Sequence, residues 1–327
     1  MRAVYYDEFG GADVLKFGDL PVPGYAADEV LVEVAAVGVN PIDRRLRNGE
    51  LQEYITRIWP VVPGWDVAGR IVAVGDDVDG WRTGDDIVGL AFDWTVHNGT
   101  YAEFAPVKAS AIAPKPAEIS FTDAAALPLV SLTAWESLAE YAELKPGQTG
   151  FIQGGSGGVG SIAVPIGKLL GAEIYTTTRT ANFDYVRSRG ADHVIDYTQE
   201  SYFDFIRERE PGGIDFVLET LITDDAIRAA IRLVKDGGTV AYMNNEPPEM
   251  PEIAQRGIKT KFLHHRPDGA SLAKLMKLFE RGDLPLPAIE VLPLASAAEA
   301  HRRSESMRTR GKIVLEVQEI QERSPHA

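Results

Sequence analysis

Apolar positions along the chain fall into two textures. Up to about residue 125 they come in short runs cut by glycines and polar turns: VLVEVAAVGV at 30–39, VAGRIVAV at 67–74 and the run 87–90, with GDDVDG and RTGDD between them. Short runs bounded by such turns predict strands, and a body of this kind curls into a barrel-like or irregular antiparallel sheet. From Phe121 the text becomes TDAAALPLVSLTAWESLAEYAEL, which is helical in pattern but contains Pro128. A proline interrupts a helix interior, so two helices meeting at 128–132 are expected.

Beyond Gly147 the period alternates. Strand-like FIQGG, EIYTTT, HVIDY, IDFVLET and GTVAYM are separated by helical stretches at 159–170, 182–189, 202–209 and 224–234. Strand, helix, strand order predicts a parallel sheet covered on both faces. NNEPPEMPEI then reads as a loop and 259–263 as a strand. Residues 270–281 form an amphipathic helix with Leu272, Leu275, Met276 and Phe279 on one side. IEVLPL, a helix at 295–306 and GKIVLEV close the chain. Because the parallel sheet is already complete, these last strands are expected to rejoin the first body. The bounds read as 1–125, 126–265 and 266–327.

Composition narrows the chemistry. The 327 residues are long enough for two domains, and 45% hydrophobic with 25% charged residues is an ordinary globular balance. A formal net charge of −15 repels phosphate polymers, and no basic block offsets it, which argues against a nucleic-acid partner. The absence of cysteine excludes disulfides, thiolate nucleophiles and every zinc or iron–sulfur site that needs sulfur. Of six histidines only His264 and His265 adjoin, a poor metal clamp because strand neighbours point to opposite faces. The apolar runs fall short of the roughly 20 residues that span a bilayer, and no signal core follows Met1. These features predict a cytoplasmic protein with no membrane partner.

The strongest single feature is TGFIQGGSGGVGSIAVPIGKLLG at 149–171. Gly155, Gly157 and Gly160 have the GxGxxG spacing between a strand and a helix, with Ser156, Gly158 and Val159 completing the turn. Such a turn brings helix-start N–H groups against a pyrophosphate, so a dinucleotide is expected there. After the next strand an NAD site would carry an acid for the ribose 2′-hydroxyl. The sequence reads TTTRTANFD instead, with Thr178 and Arg179 at that point. A guanidinium suits a 2′-phosphate, which favours NADPH; the alternative is an ordinary solvated arginine.

Several ordered segments together carry a family resemblance: AVYYDEFGGADVLKF at the start, GVNPID at 38–43, VPGWDVAGRIVAVGDDVDGWRTGDDIVG at 62–89, AAALPLVSLTAWESL, GGSGGVG, and RSRGADHVIDY at 187–197. The chain resembles the zinc-independent quinone oxidoreductase branch of the medium-chain dehydrogenase/reductase superfamily over nearly its whole length. The resemblance implies an α/β protein: a GroES-like barrel catalytic domain, interrupted by a Rossmann domain with a doubly wound parallel sheet. It also implies no metal, since Gly64, Trp65 and Asp66 stand where zinc-dependent relatives have GHE. Without a Lewis acid, hydride transfer to a quinone or α,β-unsaturated carbonyl is the less demanding reaction. Reduction of a simple ketone or aldehyde, or NADPH binding without catalysis, are the competing readings.

By the same resemblance Asn40 lies beside the nicotinamide and substrate, although an asparagine before Pro41 equally suits a cap. Asp43 is expected as a structural acceptor near the site, since acid catalysis would need a raised pKa. Thr133 approaches the nicotinamide ribose or ring, or else bonds back to its own helix. Tyr197 stands near the 2′-phosphate or packs at a strand end. Trp65, Trp94 and Tyr54 either line a substrate cleft or belong to the core. Relatives are commonly dimers, and 259–263 is a plausible edge strand for a homodimer.

Overall fold

The computed structural model describes residues 1–244, 246–264 and 266–321. His265 of the histidine pair, and Asn245 within the stretch read as a loop, lie outside the described residues. The chain divides into two compact units: residues 1–132, 266–282 and 286–327 form one, and residues 133–265 with 283–285 form the other.

The first unit is built on β3 (Glu29–Val39), whose apolar run is buried along almost its whole length. It pairs antiparallel with β5 (Asp66–Val74), β8 (Phe104–Lys108) and β17 (Lys312–Glu316). β6 (Asp86–Leu90) and β9 (Ile112–Pro114) extend the sheet on one side, and β16 (Ile289–Pro293) lies parallel to β17 on the other. Val32, Val34, Val37, Val67, Ile71, Ile87 and Leu315 form its core. Burial of each such side chain contributes about 1.5–3 kcal/mol. The chain's last strand thus rejoins the first body, 273 residues from its partner by the Lys312–Val39 contact.

Two small pairs flank this sheet. β1 (Arg2–Tyr5) is antiparallel to β2 (Lys16–Asp19), and β4 (Thr56–Val62) is parallel to β7 (Thr95–Asn98). The last of these strands falls inside AFDWTVHNGTYAEF, where no apolar alternation signals it. The helix Gly269–Glu280 buries Leu272, Leu275, Met276 and Phe279, the four positions its period selects.

The second unit carries a six-stranded parallel sheet. Its strands are β10 (Thr149–Ile152), β11 (Glu173–Thr178), β12 (His193–Asp196), β13 (Ile214–Glu219), β14 (Val234–Tyr242) and β15 (Lys259–Phe262). Their spatial order is β12-β11-β10-β13-β14-β15. Chain order therefore reverses between β10 and β13, which is the switch point where open α/β sheets take ligands at the strands' carboxyl ends.

The helical stretch after Phe121 divides in two as expected, the first helix being Phe121–Ala125. It breaks before Pro128, which begins the helix Pro128–Trp135, where a missing N–H costs nothing. That helix continues as a π-helix over Glu136–Tyr141. NNEPPEMPEI is not wholly a loop, because the helix Pro251–Gln255 starts at its second proline run.

Candidate functional site

In the second unit the glycine turn follows β10 and opens the helix Gly160–Leu169. Its glycines have separate reasons. A Cβ on Gly155 would overlap Thr176 Oγ1, and one on Gly160 would overlap the carbonyl of Gly154. Gly157 differs, since a Cβ there meets nothing nearer than Gly154 O at 3.4 Å. The fold needs Gly155 and Gly160; it does not need Gly157, whose missing side chain leaves room for something outside the chain. The threonines of β11 hold the turn: Thr177 Oγ1 accepts from Gly154 N–H (3.1 Å), and Thr177 O accepts from Gly155 N–H (3.0 Å).

The rim beside this turn gathers the predicted nucleotide residues. Thr178 Oγ1 donates to Ser156 Oγ (2.8 Å), and Asn182 Nδ2 donates to the same oxygen (3.4 Å). Arg179 Nε donates to the Tyr197 hydroxyl (3.0 Å), and that ring is 50% exposed. An acid does stand next to the end of β11, because Asp196 pairs in register with Thr178. Its oxygens are taken by Thr180 and Thr198, and the hydroxyls of these two hold its carboxyl well below the usual range. Sequence reasoning missed Asn182 and Asp196. A polar residue three positions after Arg179, and an acid ending the next strand, were the signals available.

At the end of β13, Glu219 is wholly buried. Its Oε1 accepts from Leu221 N–H (2.6 Å) and its Oε2 has no partner. Burial pushes its carboxyl up to about 7. Thr133 lies in the helix Pro128–Trp135, 8% exposed, and its carbonyl accepts from Ser137 Oγ (2.6 Å).

The first unit holds Asn40 and Asp43 in a closed polar network. Asn40 caps the helix Pro41–Arg47, and its backbone N–H donates to Asp43 Oδ2 (2.8 Å). Asn40 Nδ2 donates to Asp66 Oδ2 (2.8 Å), while its Oδ1 accepts from Lys312 Nζ (2.6 Å). Lys312 also reaches Val39 O and Asp66 Oδ2, and Leu129 N–H donates to Asp66 Oδ1. Tyr101 donates its hydroxyl to Asp43 Oδ2 (3.0 Å). Asn40 is 1% exposed, Asp43 and Asp66 0%, and Lys312 3%. Both ends of the Asn40 amide are therefore engaged within the protein, so its capping position is enlarged into a network.

Asp43 is the acceptor expected, but not an ordinary one. Burial pushes its carboxyl up to about 7, with the neighbouring Asp66 charge adding to the rise and the Asn40 N–H opposing it. Its Oδ1 is buried without a partner. Of the two buried acids Asp66 contacts the Lys312 ammonium (3.3 Å), while Asp43 is held by the Asn40 N–H and the Tyr101 hydroxyl. Sequence reasoning missed Lys312, which hides as the first residue of an apolar strand.

Of the aromatic candidates, Trp65 is core, 2% exposed, and stacks edge-on to Phe92 at 4.7 Å. Phe92 in turn meets Trp94 at 5.0 Å; Trp94 is 55% and Tyr54 72% exposed. Trp65 and Phe92 line a cavity of about 200 Å³ together with Tyr6 and His97. Among the described residues no group of three or more His, Asp or Glu is arranged to hold a metal, and no helix is long and apolar enough to cross a membrane.

Comparison with known proteins agrees with this geometry. Residues 26–117 match the alcohol dehydrogenase GroES-like domain, and residues 189–315 match a zinc-binding dehydrogenase domain. A 2-methylene-furan-3-one reductase of Solanum lycopersicum is 33% identical over 96% of this chain and 79% of its own. The chloroplastic NADPH-dependent alkenal/one oxidoreductase of Arabidopsis thaliana is 32% identical over the same shares. The structure of the quinone oxidoreductase from Coxiella burnetii superposes with a TM-score of 0.87 at 29% identity, covering 97% of this chain and 99% of that one. A barrel-like unit interrupted by a doubly wound one, with this sequence similarity, defines a medium-chain dehydrogenase/reductase, and the chain belongs to that superfamily. Within it, the chain belongs to the branch of the quinone oxidoreductases and enone reductases.

Proposed function

We propose that the protein is an NADPH-dependent oxidoreductase that reduces a quinone or an α,β-unsaturated carbonyl without a catalytic metal. The observation that carries this reading is the turn at Gly157, where the fold leaves a side chain's space free, with the neighbouring Ser156 tied to Thr178 at the strand end that leads into Arg179. A dinucleotide fits these residues. The Gly157 N–H closes the turn on Gly154 O (2.9 Å), so the N–H groups of Gly158, Val159 and Gly160 would meet the pyrophosphate, Ser156 and Thr178 the ribose side, and Arg179 with Tyr197 the 2′-phosphate. Bound there, the reduced nicotinamide supplies the hydride.

The remaining work belongs to the chain. Thr133 is assigned to orienting the nicotinamide end. Asn40 and Asp43 are assigned to holding the backbone that follows β3 rigid, through the network with Asp66 and Lys312. Such a preorganised frame aligns an acceptor and excludes water, which is sufficient when the acceptor delocalises its own negative charge onto oxygen. The names of the Solanum lycopersicum and Arabidopsis thaliana relatives support an enone acceptor, and that of the Coxiella burnetii structure a quinone. Pairing of β15 across a two-fold axis is the dimer contact in this reading, and its place is the cytoplasm, where a cysteine-free chain loses nothing.

The test follows NADPH and NADH oxidation with a benzoquinone, an enone and a simple aldehyde, with Arg179→Ala alongside. Expected are turnover of the first two acceptors, preference for NADPH, and a loss of that preference by about tenfold or more in the variant. Equal use of both coenzymes by wild type and variant overturns the phosphate assignment. Turnover of the aldehyde alone moves the reading to carbonyl reduction, and coenzyme binding without consumption moves it to a binding role.

A further inference from the structure

Asp196 ends β12 beside Thr178 of β11, and it is 5% exposed. One of its oxygens, Oδ2, accepts from Thr180 N–H at 2.7 Å and from the Thr180 hydroxyl. The other, Oδ1, accepts from Thr198 N–H at 2.9 Å and Thr198 Oγ1 at 2.6 Å. One carboxylate thus ties together the loop after β11 and the loop after β12. Arg179 immediately precedes the first tie. Tyr197 sits between Asp196 and the second. These are the two residues joined by the 3.0 Å Arg179–Tyr197 hydrogen bond.

Both of those side chains are solvent-facing, and an exposed pair of this kind holds itself in place only weakly. Its rigidity has to come from the backbone beneath it. The fourfold use of Asp196 supplies that, because charge-assisted hydrogen bonds to a carboxylate are stronger than neutral ones. The same bonds occupy a carboxylate that stands next to the strand end where an NAD site would offer an acid to the ribose.

We propose that Asp196 is the positioning residue for coenzyme choice: by clamping Thr180 and Thr198 it fixes Arg179 and Tyr197 at the spacing that receives a 2′-phosphate, and keeps its own charge turned away from that group. The inference deepens the NADPH reading and rests on it. No substitution known to alter a direct phosphate contact is needed to break it.

The experiment measures binding of adenosine 2′,5′-bisphosphate and of adenosine 5′-monophosphate to the full chain by calorimetry. The variants are Asp196→Ala, Asp196→Asn, Arg179→Ala and the double variant Arg179→Ala/Asp196→Ala. The readout is the ratio of the two affinities. Asp196→Asn keeps the shape but replaces one acceptor with a donor, so one loop is released. Both Asp196 variants are expected to lower the ratio by about tenfold or more, a shift of a size that loss of one charge-assisted contact produces. The double variant is expected to fall no further than Arg179→Ala alone, since Asp196 acts through that arginine.

An unchanged ratio in both Asp196 variants, with Arg179→Ala still collapsing it, overturns the inference and leaves the coenzyme reading standing. Additive losses in the double variant overturn it as well. An unchanged ratio in Arg179→Ala overturns the phosphate assignment and this inference with it. Should Asp196→Ala fail to fold, Thr180→Val and Thr198→Val each remove one hydroxyl tie and carry the same test, with partial losses expected and wild-type ratios in both overturning the proposal.

Discussion

The polar groups of the first unit and those of the second differ in where their partners lie. Asn40, Asp43, Asp66 and Lys312 are buried, and each is bonded to at least one other member of the set. Ser156, Thr178, Arg179 and Tyr197 stand at a rim, tied in two pairs by single bonds, with Arg179 and Tyr197 facing solvent. Groups bonded to one another inside determine whether the fold stands; groups half engaged at a surface determine what it takes up. The two sets should therefore respond to substitution on different axes, stability for the first and ligand choice for the second.

The sharpest way to break that contrast is Lys312→Met. It removes the one cation bonded to this buried set among the described residues and leaves Asp66, which burial already pushes above the usual carboxylate range, without its ammonium. Breaking one side of a buried pair costs roughly 3–5 kcal/mol. A urea melt should show that loss, and adding Asp66→Asn should recover part of it because the stranded charge goes. A loss under about 1 kcal/mol would mean that the network is not what holds β17 on β3.

Next in size is the pH dependence carried by Asp43. Its folded-state pKa of about 7 lies above the unfolded value of roughly 3.9, so the folded chain binds the extra proton between those limits. Stability from this group is present at low pH and falls as pH rises from about 4 through 7, by a few kcal/mol at most. Asn is the neutral mimic of the protonated acid. Asp43→Asn should accordingly gain on wild type as pH rises across that window and hold constant above it. Glu219, raised in the same direction, is common to both proteins and cancels in the difference. A wild type-to-variant difference that does not change between pH 5 and 8 would show Asp43 ionised throughout.

The same contrast explains what could be read from the residues alone. The parallel sheet and the glycine turn were legible because their signals are local: the alternating period runs through 149–262 and the turn chemistry sits at 154–160. The buried network was not, because Lys312 and Asn40 are 272 residues apart and nothing about a lysine at the head of KIVLE announces a buried ammonium. Asn40 could be read as either cap or donor, and only the positions of Asp66 and Lys312 decide how its amide is used. β7 was missed for a related reason: Thr95–Asn98 has one buried residue, so its strand character comes from pairing with β4 rather than from an apolar period.

Gly157→Ala sharpens the other side. The backbone there is outside the left-handed region and the added methyl meets only Gly154 O at 3.4 Å, so the melt should move by less than about 1 kcal/mol. Coenzyme affinity should fall by about 10–100-fold with NADPH and NADH alike, since the pyrophosphate is common to both. Gly155→Ala and Gly160→Ala serve as contrasts, expected to lose stability first because their added carbons overlap Thr176 and Gly154. Unchanged affinity in Gly157→Ala would remove the turn from the binding site.

The smallest effect belongs to Tyr197→Phe. The hydroxyl it deletes accepts only the Arg179 Nε–H, at 3.0 Å and in contact with solvent, where water replaces most of what is lost. No change in melting is expected. The guanidinium keeps its charge and its Asp196-braced backbone, so its attraction for a 2′-phosphate persists while its orientation loosens. The NADPH preference should drop by about two- to fivefold, well short of the loss in Arg179→Ala, and it should drop with added salt more steeply than in wild type, because an unoriented charge relies on screened attraction more than on directed bonds. A loss equal to that of Arg179→Ala would instead make the tyrosine hydroxyl a direct phosphate ligand, with the arginine serving to aim it.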